Sequence, residues 1–456
     1  MSKEPAVWTA ATVLALALQG CASYRPDPLI PSAELAALTR RGLDALPEAG
    51  ACSAPAEWFP LEAQVDLADG LSLGEANALG LFFAPRVRAA RSEADLSAGQ
   101  LLQAGLLRNP ELAVGPRFTT GPTDLILPAA LLLDVPLGGR RSAELDKAGS
   151  ELQAARLDVM AVELEMLIDV RSRFLHVRAL AEERRLLAVV AEQSDEAYRW
   201  ASRLEEADEA SPLAAALARL DRDEARQDLR GKEAEHAEAR AGLLEAIGLL
   251  ATAPVRIVVE GSFALPHLPD IDRVRALGHP RLRKLEASYQ AAEHALRVEV
   301  ARQYPELRVG PDYEYAQGES SLGLGLLIEL PLFDRNRGGI ASAESERNAA
   351  RERYQSELLR LARDESAARA AHEAARDLLE EYRTGTLEAV ERAEEGVAAR
   401  LRGGQSDLLE LLEARRAVAR ARLRAVALEE RVLVAALEAA YAGGWVLPRV
   451  PEGGKP

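Results

Sequence analysis

Few side chains in this 456-residue chain could do covalent chemistry, and one of them stands where a processing reaction would use it. Cys21 follows Leu18-Gln19-Gly20, directly after an apolar run from about Val7 to Leu18 that is itself preceded by Lys3. A small residue before a cysteine at the end of a short apolar core is the order of a lipoprotein signal peptide. Residues 1–20 would be removed and Cys21 would carry covalent lipid. The competing reading is a plain cleaved signal; a membrane anchor would need about 20 apolar residues. Cys52 is the only other cysteine, so neither a disulfide framework nor a CxxC or Cys/His metal spacing is available.

The remaining polar groups do not assemble into a catalytic pattern. His176, His236, His267, His279, His294 and His372 are scattered, and no Walker loop, HExxH or GxSxG occurs. Gly323 and Gly325 alternate in a strand-like stretch instead of opening a helix. No catalytic, metal or cofactor site is therefore expected. Two acidic groups stand out instead: Glu205, Glu206, Asp208 and Glu209 in one cluster, and Asp134 with Glu329, which an internal repeat makes equivalent.

The elements that must position these groups follow from composition. Aromatics are 4% and charged residues 28%, which suits long Ala/Leu/Glu/Arg helices. A net charge of −16 disfavours nucleic acid, whose phosphates require a basic face. Asn109-Pro110-Glu111-Leu112-Ala113-Val114-Gly115-Pro116 returns as Tyr304-Pro305-Glu306-Leu307-Arg308-Val309-Gly310-Pro311, an offset of 195 from 110 to 305. The same offset carries Pro85 to Pro280, Pro136-Leu137 to Pro331-Leu332, and Ser211 and Leu213 to Ser406 and Leu408. Each half thus runs helix, two strands, very long helix, return helix. Proline is absent between Pro136 and Pro212 and between Pro331 and Pro448, which permits long uninterrupted helices. The first, about 139–203, would reach roughly 100 Å at 1.5 Å per residue; helices over 212–249 and 271–302 would lie stacked beside it.

Alternation assigns the strands to two faces. Leu127, Ala129, Leu131, Leu133, Val135 and Leu137 share one face and map to Leu322, Leu324, Leu326, Ile328, Leu330 and Leu332. Leu112, Val114, Pro116 and Phe118, with Leu307, Val309, Pro311 and Tyr313, agree. The opposite face is small or charged. Strands over 111–120, 125–137, 306–315 and 322–332 of about ten residues match a lipid-out, water-in membrane barrel. Four strands cannot close a barrel alone, so oligomers are required, and three copies would give about twelve strands.

These residues resemble the TolC family of outer-membrane efflux proteins from Leu71 to Gly443. The resemblance rests on Leu71-Ser72-Leu73-Gly74-Glu75-Ala76, the paired Pro-Glu-Leu motifs, Leu330-Pro331-Leu332-Phe333-Asp334-Arg335-Asn336-Arg337-Gly338 and Gly404-Gln405-Ser406-Asp407-Leu408-Leu409. It implies a mainly α chain with a membrane β-barrel: a homotrimer whose long antiparallel coiled-coil helices form an α-barrel and whose four strands per protomer complete a twelve-stranded barrel. The expected organisation is a lipid-anchored extended segment (21–70), a first repeat (71–252), an equatorial join (253–270), a second repeat (271–443) and a tail (444–456). The implied function is passive conduction in the outer membrane, from an inner-membrane pump, of RND type, and its periplasmic adaptor. Ala22 after Cys21 favours the outer membrane by resemblance to lipoprotein sorting.

By the same resemblance the turns farthest from the barrel form the entrance and receive the adaptor: Asp208, Glu209, Ala210 and Ser211 in one, Gly403, Gly404, Gln405 and Ser406 in the other. Gly403-Gly404 suits a tight turn, with Asp208-Glu209 at the equivalent places. The acidic cluster is either a solvated turn or a cation-selective collar. Asp134 and Glu329 either line the lumen or hydrogen-bond the strand-to-helix junctions at Gly138-Gly139 and Gly338-Gly339. The alternatives to a duct are a lipid-anchored periplasmic adaptor or a coiled-coil scaffold; an adaptor would need compact β-domains, and a scaffold would not need lipid-out alternation.

Overall fold

The structure, a computed structural model, describes residues 24–41, 70–115, 117–118, 125–209, 211–258, 277–316, 319–406 and 408–444. The signal segment, Cys21, Cys52 and most of the expected join lie outside the described residues. Residues 24–41 belong to a unit of their own, holding helix α1 (Pro31–Arg40), with proline in its first turn.

The second unit opens with α2 (Leu73–Phe83). Ser72 and Glu75 make a reciprocal capping box: Ser72 Oγ accepts from Glu75 N at 3.2 Å and the Glu75 carboxylate from Ser72 N at 2.8 Å. Pro85 stops α2 and starts α3 (Pro85–Gly105), because Ala84 before it is held extended. Two pieces of one strand follow, β1 (Glu111–Val114) and β2 (Arg117–Phe118), then β3 (Leu125–Val135). Helix α4 (Arg140–Glu206) has 67 residues, about 100 Å. The return helix is α5 (Pro212–Ala246). The second half repeats the order with α6 (Pro280–Ala301), β4 (Leu307–Ala316), β5 (Glu319–Ile328), α7 (Arg337–Glu381), α8 (Glu388–Arg402) and α9 (Leu408–Ala442).

Helix α4 is the spine, with α3, α5, α6 and α9 laid along it and α7 against α6 and α9. The main core lies at its middle, where Leu167, Val170 and Phe174 meet Leu79 and Phe83 of α2, Leu243 and Leu244 of α5, and Leu437 of α9. Arg240 closes this level by donating to the carbonyls of Ala251, Ala253 and Val255 at 2.8–3.1 Å. His279 caps α6: its Nδ1 accepts from Arg281 N at 3.2 Å, and its ring stands edge-on to Tyr441 at 5.1 Å.

His279 has no exposed surface, and this burial, helped by the Arg281 charge, lowers its pKa from 6.5 to about 4. The folded chain therefore keeps it neutral, whereas the unfolded chain protonates it below about pH 6.5. Its contribution is complete above that pH and is lost as pH falls from 6.5 towards 4, by about 3 kcal/mol per protomer. Denaturation midpoints should drop over that window, and His279→Gln should flatten the drop; an unchanged slope in the variant would refute the assignment.

The second long helix is not continuous as expected. Tyr382–Leu387, between α7 and α8, form a π-helical turn. Such a turn holds one residue more than an α-turn. The burial pattern shows that it absorbs an insertion. Met166 and Leu361, and Val177 and His372, are buried at the repeat offset of 195, but beyond the π turn Ala215 and Leu411, Ala225 and Ala421, and Leu243 and Ala439 are buried at an offset of 196. The expected match of Ser211 to Ser406 and Leu213 to Leu408 is thus shifted by one. Deleting Gly385 should restore an α-helix and leave trimer yield and melting within a few degrees of wild type. Deleting Val189 from α4 should rotate every residue beyond it by about 100° and abolish folding; equal damage from both deletions would contradict the insertion reading.

Candidate functional site

The sheet runs β1–β3–β4–β5, all antiparallel, with β2 also on β3. Pairing of β3 with β4 joins the two halves. Register then decides the faces. Val114, Ala129, Tyr313 and Leu322 form one cross-strand row; Leu133, Val309 and Leu326 form another; Val135, Leu307 and Ile328 a third. Residues directly opposite share a face, so the apolar sets of all strands fall together. Leu322, Leu324 and Leu326 are 79%, 74% and 66% exposed, and Leu112 is 70% exposed, so nothing among the described residues covers this face. The other face carries Ala113, Ala130, Asp312 and Gly323 in one row and Pro128, Glu314 and Ser321 in the next.

The strand ends differ from expectation in two places. The fourth strand is Glu319–Ile328 and not 322–332: Glu319, Ser320 and Ser321 ladder with Ala316, Tyr315 and Glu314, while Pro331 has no N–H to give and Leu332 N turns back to Leu330 O at 2.8 Å. Leu330, Leu332 and Phe333 are exposed beyond the strand. The second strand, β3, likewise ends at Val135 and not at 137, before Pro136. Tyr313 and Tyr315 sit towards the far end of the sheet and Phe333 at the helical end.

At the strand-to-helix junction the equivalence of Asp134 and Glu329 breaks down. Asp134 lies in β3, opposite Arg308, with Arg308 at 3.1 Å and Arg108 at 3.5 Å. Glu329 lies past the end of β5, exposed. They do not form one ring of free carboxylates, nor does Asp134 bond the glycine junctions. A chain of alternating charges runs through the level instead: Glu111, Arg308, Asp134, Arg108, Glu306, Arg140 and Glu144, linked within 4 Å. Glu111 and Glu306 are the two glutamates of the repeated Pro-Glu-Leu motif, and the chain crosses between halves at Glu111–Arg308, Arg308–Asp134, Arg108–Glu306 and Glu306–Arg140. The motif supplies anionic links that tie the sheet to the helices, a role its spacing alone did not reveal.

The two distal turns have one geometry. Asp208 and Gly404 both adopt left-handed backbone, φ 57° and 68°. Glu209 N returns to Leu204 O at 2.8 Å and Gln405 N to Arg400 O at 2.9 Å, the bonding of a Schellman end. Asp208 is therefore the counterpart of Gly404, not of Gly403, and aspartate is among the few residues that tolerate this conformation. Ser211 Oγ accepts from Ala214 N and caps α5. Ser406 Oγ donates to Glu410, which also meets Arg400. Ala210 lies outside the described residues. Among the described residues Glu205, Glu206, Asp208 and Glu209 make no ion pair within the protomer.

No helix of the described residues is long and apolar enough to cross a membrane.

The comparisons bear on this arrangement. Residues 275–442, essentially the second repeat, match the family described as outer membrane efflux protein. The chain is 27% identical over 376 residues, 80% of its length and 87% of the relative's, to the cobalt-zinc-cadmium resistance protein CzcC of Cupriavidus metallidurans. Its fold is that of the CmeC outer membrane channel of Campylobacter jejuni (TM-score 0.69, 15% identity, covering 93% of this chain and 95% of that one). It is also that of the open state of the MtrE outer membrane channel of Neisseria gonorrhoeae (TM-score 0.69, 19% identity, covering 83% and 90%).

Proposed function

We propose that this chain is an outer-membrane efflux protein of the TolC type and that three copies form the outer-membrane duct of a tripartite efflux system. The observation that carries this is a sheet four strands wide, apolar and uncovered on one face, with open edges at β1 and β5. Four strands are too few to close, and an edge left unpaired within lipid is not tolerated. Because β1 and β5 run in opposite directions, β5 of one copy continues antiparallel into β1 of the next. The apolar face then meets lipid, and the face of Asp312 and Glu314 meets water. Below the sheet the long helices continue the wall to the distal turns, where a periplasmic adaptor and an inner-membrane pump of RND type deliver cargo. Divalent cations are the first cargo to assay, since CzcC is a cobalt-zinc-cadmium resistance protein. The duct selects little; the pump chooses. Purified protein added to planar bilayers should give discrete ion-conducting steps, and protein that inserts without conductance would contradict the reading.

Lipid on Cys21 is the second part of the proposal, supported by the residues before it. Cys21→Ala should block incorporation of radiolabelled palmitate and leave a protein held by its barrel alone. Label retained in the variant would place the lipid elsewhere.

A further inference from the structure

The chain leaves the sheet for α7 through a segment that couples an apolar patch to two unpaired cations. Past the end of β5, Leu330 and Leu332 are 64% and 68% exposed and Phe333 is wholly so; Arg335 and Arg337 follow, both exposed. Neither arginine makes an ion pair among the described residues. The acids near them in sequence or space are engaged elsewhere or do not reach them. Asp334 Oδ1 accepts from Asn336 N at 2.8 Å, and the Glu299 carboxylate accepts from Asn336 Nδ2 at 2.7 Å and from Arg302 at 2.5 Å. Glu329 pairs with neither arginine. Asn336, left-handed at φ 55°, also donates to Glu299 O at 2.9 Å, so the segment is pinned to α6 while Phe333, Arg335 and Arg337 stay in the open.

Depth fits the same picture. β5 is centred between Gly323 and Leu324, and at about 3.3 Å per residue and a tilt of about 45° its last residue, Ile328, lies about 10 Å from the midplane of a barrel. The apolar band of such a barrel is about 25 Å tall, with aromatic residues at its rims. Leu330 to Phe333 therefore reach the rim on the helical side, and the two arginines follow at the depth of lipid head groups. Only the second half carries this set. At the repeat offset Phe333, Arg335 and Arg337 correspond to Gly138, Arg140 and Ser142; Gly138 lies against the Tyr304 ring, and Arg140 is held by Glu144 and Glu306.

We infer that this segment seats an anionic phospholipid of the leaflet on the helical side, Leu330, Leu332 and Phe333 lying against its acyl chains and Arg335 and Arg337 on its phosphate. The occupant is a lipid and not a soluble anion because the arginines directly follow residues that continue the apolar face of the sheet. A guanidinium fork matches phosphate oxygens two at a time. One arginine beside an anionic lipid surface strengthens binding about fivefold, so two together give about 25-fold. The inference rests on the trimeric duct reading and adds a lipid preference to it, with one seat per copy.

The test is native mass spectrometry of the full chain, purified as trimer in detergent and titrated with palmitoyl-oleoyl phosphatidylglycerol or with phosphatidylethanolamine of the same chains. Phosphatidylglycerol should bind about tenfold or more the tighter, in as many copies as there are protomers, and Arg335→Gln with Arg337→Gln should bring the two lipids within about twofold. Arg392→Gln with Arg420→Gln, exposed on α8 and α9 far from the sheet, should keep the preference, and inorganic phosphate in large excess should not displace the lipid. A wild-type trimer that binds both lipids alike, or gives up phosphatidylglycerol to phosphate, overturns the inference and leaves the duct standing. So does a preference that survives in the Arg335 and Arg337 double variant or is lost equally in the distal one. Protein that is monomeric throughout overturns both.

Discussion

Leu324→Arg should remove the trimer from the outer membrane. Leu324 lies near the middle of β5, opposite Pro311, 74% exposed on the apolar face. An arginine facing lipid at the midplane of a barrel costs about 2–4 kcal/mol, and three copies carry it together, about 6–12 kcal/mol per assembled barrel. That rivals the whole stability of an ordinary domain. Membrane fractionation and native gels should show little assembled trimer. Ser321→Arg, on the same strand but facing Glu314, should be tolerated and should alter ion selectivity instead. Normal assembly of Leu324→Arg, or failure of Ser321→Arg alone, would reverse the face assignment.

Gly310→Ala should weaken the assembled trimer, for a different reason. Gly310 is where β4 passes β3: a Cβ there would stand 1.7 Å from the Leu131 carbonyl oxygen and 2.8 Å from its carbon. Backbone must move to admit it, and it is the backbone that joins the two halves of the sheet. Overpacking of this kind costs about 1–3 kcal/mol per site, again borne three times in the trimer. Gly115, the repeat counterpart, lies next to the gap between β1 and β2, and a Cβ there meets nothing within 4 Å. Gly115→Ala should therefore melt as wild type in semi-native gels, while Gly310→Ala should shed monomer at temperatures where the wild type stays trimeric. Equal behaviour would mean that the two glycines serve the repeat alike and that β3–β4 pairing is looser than described.

Those glycines mark how far the residues alone reach. Alternation over Leu127–Leu137 and Leu322–Leu332 located the apolar face, because a period of two is fixed by the pleat whatever the neighbours are. The proline-free runs located the long helices, since nothing in them breaks the backbone ladder. Strand order was not legible: β3 meets β4 across more than a hundred residues of helix, and pairing partners leave no local mark. Glu319, Ser320 and Ser321 look like loop and are strand only because Glu314–Ala316 stand opposite. The π turn at Tyr382–Leu387 is invisible as composition; a one-residue shift in which positions are buried betrays it. Asp134 and Glu329 matched as carboxylates, yet Arg308 and Arg108 claim the first and no ion pair among the described residues holds the second.

The functional claim depends on three protomers sharing one wall, and imaging tests that directly. Protein extracted from outer membrane into detergent should appear by negative stain as a threefold tube, embedded in the micelle at one end and narrowing more than about 100 Å away at the other, the length of α4. Monomeric or twofold rods, or tubes with no end in the micelle, would contradict a duct and point to a periplasmic adaptor or scaffold.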